Sequence, residues 1–140
     1  MNGGLSVIGD LYKTNVFKLC SWLDSKESIY HRKLYMLDTS KNIIGENIRT
    51  KAPSAELGPD QLDTDSLPPY SILDNILKGI IEEKKDLQQL KEDGHENELI
   101  VKIISLIKKA EFKRKQAPPI LQLSSQSLGS DWSVPIAIYY

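Results

Sequence analysis

The 140-residue chain has one cysteine and two histidines. The lone Cys20 excludes an intramolecular disulfide framework and suits a reducing compartment. It lies on an apolar helix pattern beside Trp22, as a packed thiol does. His31 and His95 have no metal-ligand spacing to each other or to Cys20, so no zinc-type centre is expected. No window approaches the roughly 18 apolar residues that a membrane-spanning helix needs. An excess of one charge is also missing. The 18 Lys and Arg against 19 Asp and Glu give a net charge of −1, so nothing draws the chain globally to nucleic acid or anionic lipid. Asn2, Gly3 and Gly4 stand where a secretory leader would be basic and apolar, and the reading is a cytoplasmic protein. Asp60, Asp63 and Asp65 lack the glycine and bidentate glutamate of a calcium loop and read as a solvated acidic loop. No Ser-His-Asp or Cys-His arrangement can be assembled, so no catalytic residue and no metal ligand is assigned.

What is present is ordinary globular material: 40% hydrophobic and 26% charged residues, enough for one modest core. Apolar residues recur at helical spacing in four places. The spacing predicts a helix over 12–23, with Val16, Phe17, Leu19, Cys20 and Leu23 as its buried face. A second is expected over 71–84, with Leu73, Ile76, Leu77, Ile80 and Ile81 inside and Ser71–Asp74 resembling a capping box. A short helix over 86–93 ends at Gly94, a natural C′ residue. A fourth over 96–113 has Leu99, Ile100, Ile103, Ile104, Leu106 and Ile107 as its core face, and Pro118 and Pro119 end it. Residues 24–42 read as a polar, irregular surface insertion. Residues 51–70 read as a shaped loop fixed by Pro53, Gly58, Pro59, Pro68 and Pro69. The tail from Leu121 is Ser-rich, with Trp132 and Ile136 as docking points. Four helices without a strand pattern suggest an all-α domain. The long loops between them equally fit helices that cover a sheet whose strands lie upstream.

Three features carry chemistry, each with a plain competitor. Lys13 starts the first helix, where free N–H groups, the helix dipole and an ammonium suit a phosphate; a lysine there is also commonly just solvated. Ser54 offers a hydroxyl to a ligand or caps a turn. Lys108, Lys109, Lys113, Arg114 and Lys115 surround Phe112. They complement the helix C-terminal dipole, recognise phosphate, or form a nucleic-acid patch; the last is disfavoured by the balanced charge elsewhere. Gly3-Gly4 is neither a P-loop nor a dinucleotide fingerprint.

Four segments, in order, resemble the glutamine-dependent NAD+ synthetase family. They are Asn2-Gly3-Gly4-Leu5 through Gly9-Asp10-Leu11-Tyr12-Lys13-Thr14; Lys51-Ala52-Pro53-Ser54-Ala55-Glu56-Leu57 with Pro59-Asp60-Gln61; Asp65-Ser66-Leu67-Pro68-Pro69-Tyr70 with Leu73-Asp74; and Glu111-Phe112-Lys113-Arg114-Lys115-Gln116-Ala117-Pro118-Pro119. The resemblance implies an α/β fold of the adenine-nucleotide hydrolase type, of which this chain supplies mainly helices and long loops. It implies a ligase in which ATP, with Mg2+, adenylates deamido-NAD+, and ammonia derived from glutamine displaces AMP. By motif, Lys13 and Ser54 match ATP contacts, Gly3, Gly4 and Leu5 line the deamido-NAD+ pocket, and Lys113 beside Phe112 holds deamido-NAD+. The implied partners are ATP and deamido-NAD+ and a homo-oligomer in the intact enzyme; a truncated gene, an internal start or a split gene with a separate upstream half are the alternatives for how the chain arises.

Some features depart from the family. Its Ser-Gly-Gly-x-Asp-Ser phosphate loop, its acidic Mg2+ ligand and its nitrilase-like domain do not occur in these residues. Gly45 replaces a usual proline and Ile120 a usual glycine. The expectation is that residues 1–140 are the C-terminal part of the synthetase domain and are inactive alone.

Overall fold

The computed structural model describes residues 4–40, 42–53, 62–126 and 132–133. Six α-helices occur among them: α1 Lys13–Leu23, α2 Lys26–Leu34, α3 Glu46–Thr50, α4 Tyr70–Ile81, α5 Leu87–Glu92 and α6 Asn97–Lys115, with a short 3-10 helix at Asp63–Asp65. Extended pairing among the described residues is limited to one parallel bridge, Ser6 with Ile120. The chain is therefore helical with long connections, as expected of a helical portion of an α/β enzyme. It divides into two compact units, one of Met1–Leu11 with Ser71–Tyr140 and one of Tyr12–Tyr70.

In the first unit the buried apolar side chains come from α4, α5 and α6: Leu73, Ile76, Ile81, Leu90, Ile100 and Ile103. The 3.6-residue period places these positions inward. Leu106 departs from its expected core place; it is 37% exposed. The expected capping box at Ser71–Asp74 is not the start of α4, which begins one residue earlier at Tyr70. The reciprocal box lies on α5. There the Asp86 carboxylate accepts from the Gln89 N–H (2.9 Å) and the Gln89 side chain accepts from the Asp86 N–H (2.9 Å). Gly94 ends α5 at φ 91°. The His95 N–H reaches the Leu90 carbonyl and the Gly94 N–H that of Lys91, a Schellman arrangement that glycine adopts without strain. Lys85 bridges Asp93 and Glu83 at 2.7 and 2.8 Å. The hydrogen bonds it donates to the Asp93 and then the Glu83 carboxylate push its ammonium up to about 12.

Two glycines mark close approaches. A Cβ on Gly79 would lie 2.8 Å from a Leu90 methyl, and one on Gly9 would lie 2.5 Å from an Ile120 methyl. Ile120 thus occupies the space over Gly9. Gly79→Val is expected to destabilise the chain by about 1–3 kcal/mol through overpacking, read as a lower urea midpoint. An unchanged midpoint would show that Leu90 can move aside.

The second unit holds α1, α2 and α3. The apolar face of α1 is half-buried, and none of its residues is fully enclosed. Cys20 is half-buried with the rest of that face. The expectation of an irregular insertion over 24–42 is corrected by α2. Its N-cap Ser25 accepts from the Ser28 N–H at 3.2 Å. Glu27 lies in its first turn and His31, Arg32 and Lys33 in its last, all favourable to the dipole. The buried Arg32 guanidinium donates to the Asp38 carbonyl (3.0 Å). Asp24, just past α1, accepts from the N–H groups of Ile44 (3.1 Å) and Gly45 (2.9 Å) and meets Arg49 at 3.3 Å. Burial pushes its carboxyl up, but these backbone donors and Arg49 outweigh it and hold it below the ordinary value. Gly45 sits at φ 80°, which proline, locked near −65°, cannot adopt.

Candidate nucleotide site

In the second unit Lys13 is the first residue of α1, as its motif predicts. No side chain caps that terminus at Tyr12. The Lys13 side chain is exposed, and its ammonium stands 6.0 Å from the centroid of the Tyr70 ring. The Tyr70 hydroxyl donates to the Asp63 carboxylate in a short hydrogen bond. The Asp63 N–H donates to the Pro53 carbonyl (3.0 Å). Asp65 accepts from the Leu62 N–H at 2.8 Å. Asp63 and Asp65 are thus bonded into the turn, with Asp65 exposed. Asp60 and Ser54 lie outside the described residues.

The first unit holds the remaining assigned positions. Gly4 and Leu5 are exposed on a segment whose Ser6 N–H donates to the Pro119 carbonyl at 2.8 Å. That segment therefore runs beside the residues that leave α6. Phe112 and Lys113 project from the last turns of α6, both exposed. The structure so brings the Gly4–Leu5 segment and the Phe112–Lys113 helix end into one unit, joined at Ser6 and Ile120. Gly3 and Ile136 lie outside the described residues. Lys113, Arg114 and Lys115 occupy the last turn of α6, where positive charge offsets the carbonyl end of the dipole.

Two polar pins that spacing did not reveal hold this arrangement. The first is Asp10, 1% exposed. One of its oxygens accepts from the N–H groups of Leu123 and Ser124 and from the Ser124 hydroxyl, at 2.7, 2.7 and 2.8 Å. The second is Arg114. Its guanidinium meets the buried Glu111 carboxylate at 2.7 Å, stacks over Trp132 at 4.6 Å and donates to the Trp132 carbonyl at 2.7 Å. Trp132 is thus a docking point, as expected. The Asp10 contact with Ser124 and the Arg114 contact with Trp132 join residues distant in sequence, and nothing in the sequence pattern marks them.

Among the described residues no group of three or more His, Cys, Asp or Glu could hold a metal ion, and no helix is long and apolar enough to cross a membrane.

A family model described as NAD synthase matches residues 1–117. The glutamine-dependent NAD(+) synthetase of Synechocystis sp. is 44% identical over 98% of this chain, and that of Thermotoga maritima is 39% identical over 97%. The chain spans 22% of the length of each. A solved glutamine-dependent NAD+ synthetase from Acinetobacter baumannii, in complex with adenosine diphosphate, is 27% identical with a TM-score of 0.48. The match covers 91% of this chain and 19% of that one.

Proposed function

The chain belongs to the NAD synthase family, and on that footing we propose that it is the C-terminal part of the synthetase domain of a glutamine-dependent NAD+ synthetase, the part that grips nucleotide. The 44% identity to one such enzyme over 98% of the chain carries this reading. In the proposed reaction the carboxylate of deamido-NAD+ attacks ATP, forming an acyl adenylate and releasing pyrophosphate. Ammonia derived from glutamine then attacks the adenylate and releases AMP. Such adenylyl transfer asks little covalent work of the protein and much charge stabilisation. Lys13 and Ser54 contact ATP. Gly3, Gly4 and Leu5 line the deamido-NAD+ pocket, and Phe112 and Lys113 hold the dinucleotide. The placement of Lys13 at a helix start, where the dipole favours an anion, and the exposure of Lys113 support these roles. Among the described residues no group of three or more His, Cys, Asp or Glu fits the Mg2+ that accompanies ATP.

Purified chain supplied with ATP, Mg2+, deamido-NAD+ and ammonia is expected to form no sustained NAD+, since the phosphate loop is absent from its sequence. Steady NAD+ formation would refute that. A second reading, one half of a split synthetase or a helical interaction module, is favoured by apolar side chains left outside. Leu5, Val7 and Ile8 are 45–57% exposed on the N-terminal segment, and Tyr35, Met36 and Leu37 are 59–95% exposed after α2. Co-purification with a polypeptide bearing the phosphate loop, with recovery of activity, would establish the split enzyme.

A further inference from the structure

We infer that Tyr70 and Asp63 are positioning residues for the Lys13 ammonium, a role that rests on the proposed contact of Lys13 with ATP phosphate. Three observations within the unit 12–70 carry it. Lys13 lies 6.0 Å from the Tyr70 ring centroid, within the range at which an aromatic face attracts a cation. The phenol hydroxyl of that ring donates to Asp63. Asp63 is itself fixed, since its N–H donates to the Pro53 carbonyl and its carbonyl accepts from Ser66 and Leu67 N–H groups at 3.2 and 3.0 Å.

The chemistry suits a phosphate contact better than a salt bridge would. A carboxylate placed directly on Lys13 would hold the ammonium but compete with phosphate for it. An aromatic face orients the cation and leaves its hydrogen-bond donors for the ligand. Among the described residues Lys13 has no ion pair with a carboxylate; Asp63 acts on it through the ring. By accepting from the hydroxyl, Asp63 keeps the ring in place and draws electron density onto its face, which strengthens the hold on the cation. A long, exposed lysine loses much rotamer freedom when it grips a ligand, and the ring reduces that loss in advance.

The test uses the whole chain and two readouts. In the NMR spectrum the Cε protons of Lys13, assigned by their loss in Lys13→Arg, are expected upfield of the other lysines because of the Tyr70 ring current. Tyr70→Leu removes that shift, Tyr70→Phe keeps it and Asp63→Ala reduces it. In equilibrium binding of ATP, Lys13→Ala weakens affinity roughly tenfold or more, and Tyr70→Leu weakens it about three- to tenfold. Tyr70→Phe recovers most of the difference between Tyr70→Leu and the unaltered chain. If Tyr70→Leu does not fold, Asp63→Ala, which keeps both the ring and the backbone bond to Pro53, is read in its place and lowers ATP affinity. Lys13→Ala weakening ATP while every Tyr70 and Asp63 variant that folds binds as the unaltered chain would overturn the inference and leave the phosphate contact standing. ATP affinity indifferent to Lys13→Ala, or no ATP binding, would overturn the contact and the inference together.

Discussion

Replacing Arg114 with alanine is expected to destabilise the chain by about 3 kcal/mol. Glu111 is almost wholly enclosed, with 1% of its side chain exposed, and Arg114 is the cation 2.7 Å away. Removing the guanidinium leaves that charge buried without its partner, and this cost exceeds what the pair contributes against an apolar replacement. The same substitution removes the stack on Trp132 and the hydrogen bond to its carbonyl. Urea unfolding of a Trp22→Phe background, followed by Trp132 emission, reads both effects at once. Arg114→Lys keeps the charge but not the planar face, so it is expected to fall between the two. A loss below about 1 kcal/mol for Arg114→Ala, the range of an exposed pair, would mean that Glu111 is not a buried charge held by this residue.

The second large effect is expected at Asp10. Asp10→Ala deprives two backbone N–H groups of their shared acceptor, while the Ser124 hydroxyl keeps the Gln126 carbonyl at 2.7 Å as an alternative. Part-buried donors left without a partner cost roughly 1–3 kcal/mol each when water cannot reach them, and a total near 3 kcal/mol is expected because some become hydrated. Amide exchange at Leu123 and Ser124 should accelerate with that loss, while α5, which ends in its own hydrogen-bonded turn, should keep its protection. Unchanged exchange at those two amides would show that the strap is held elsewhere.

Periodicity and stop signals made the helices legible. The apolar stripe of α4 and the Gly94 terminus of α5 lie where their patterns place them, because burial and a left-handed turn are local demands on residue type. The helix α2 escaped the reading. Its apolar residues Tyr30 and Leu34 are 63% and 59% exposed, so no buried stripe marks it. Its signals are the Ser25 cap and the charge order from Glu27 to Lys33, which were available in the sequence. The two pins were not legible from spacing, since Asp10 meets Ser124 across 114 residues and Arg114 meets Trp132 across 18. Periodicity also placed Lys13 at a helix start and Lys113 at a helix end, where the structure has them. Tyr70 and Asp63 appeared in that reading only as a motif tyrosine and a loop acid. Their joint relation to Lys13 needs coordinates, because a ring, a turn and a helix terminus meet there from three separate stretches of chain.

The most direct test of the nucleotide-gripping role is the amide spectrum of the isotopically labelled chain during titration with deamido-NAD+. The account predicts saturable shifts concentrated at Gly4, Leu5, Phe112 and Lys113. Shifts confined to other surfaces, or none at concentrations well above those the intact enzymes use, would contradict it.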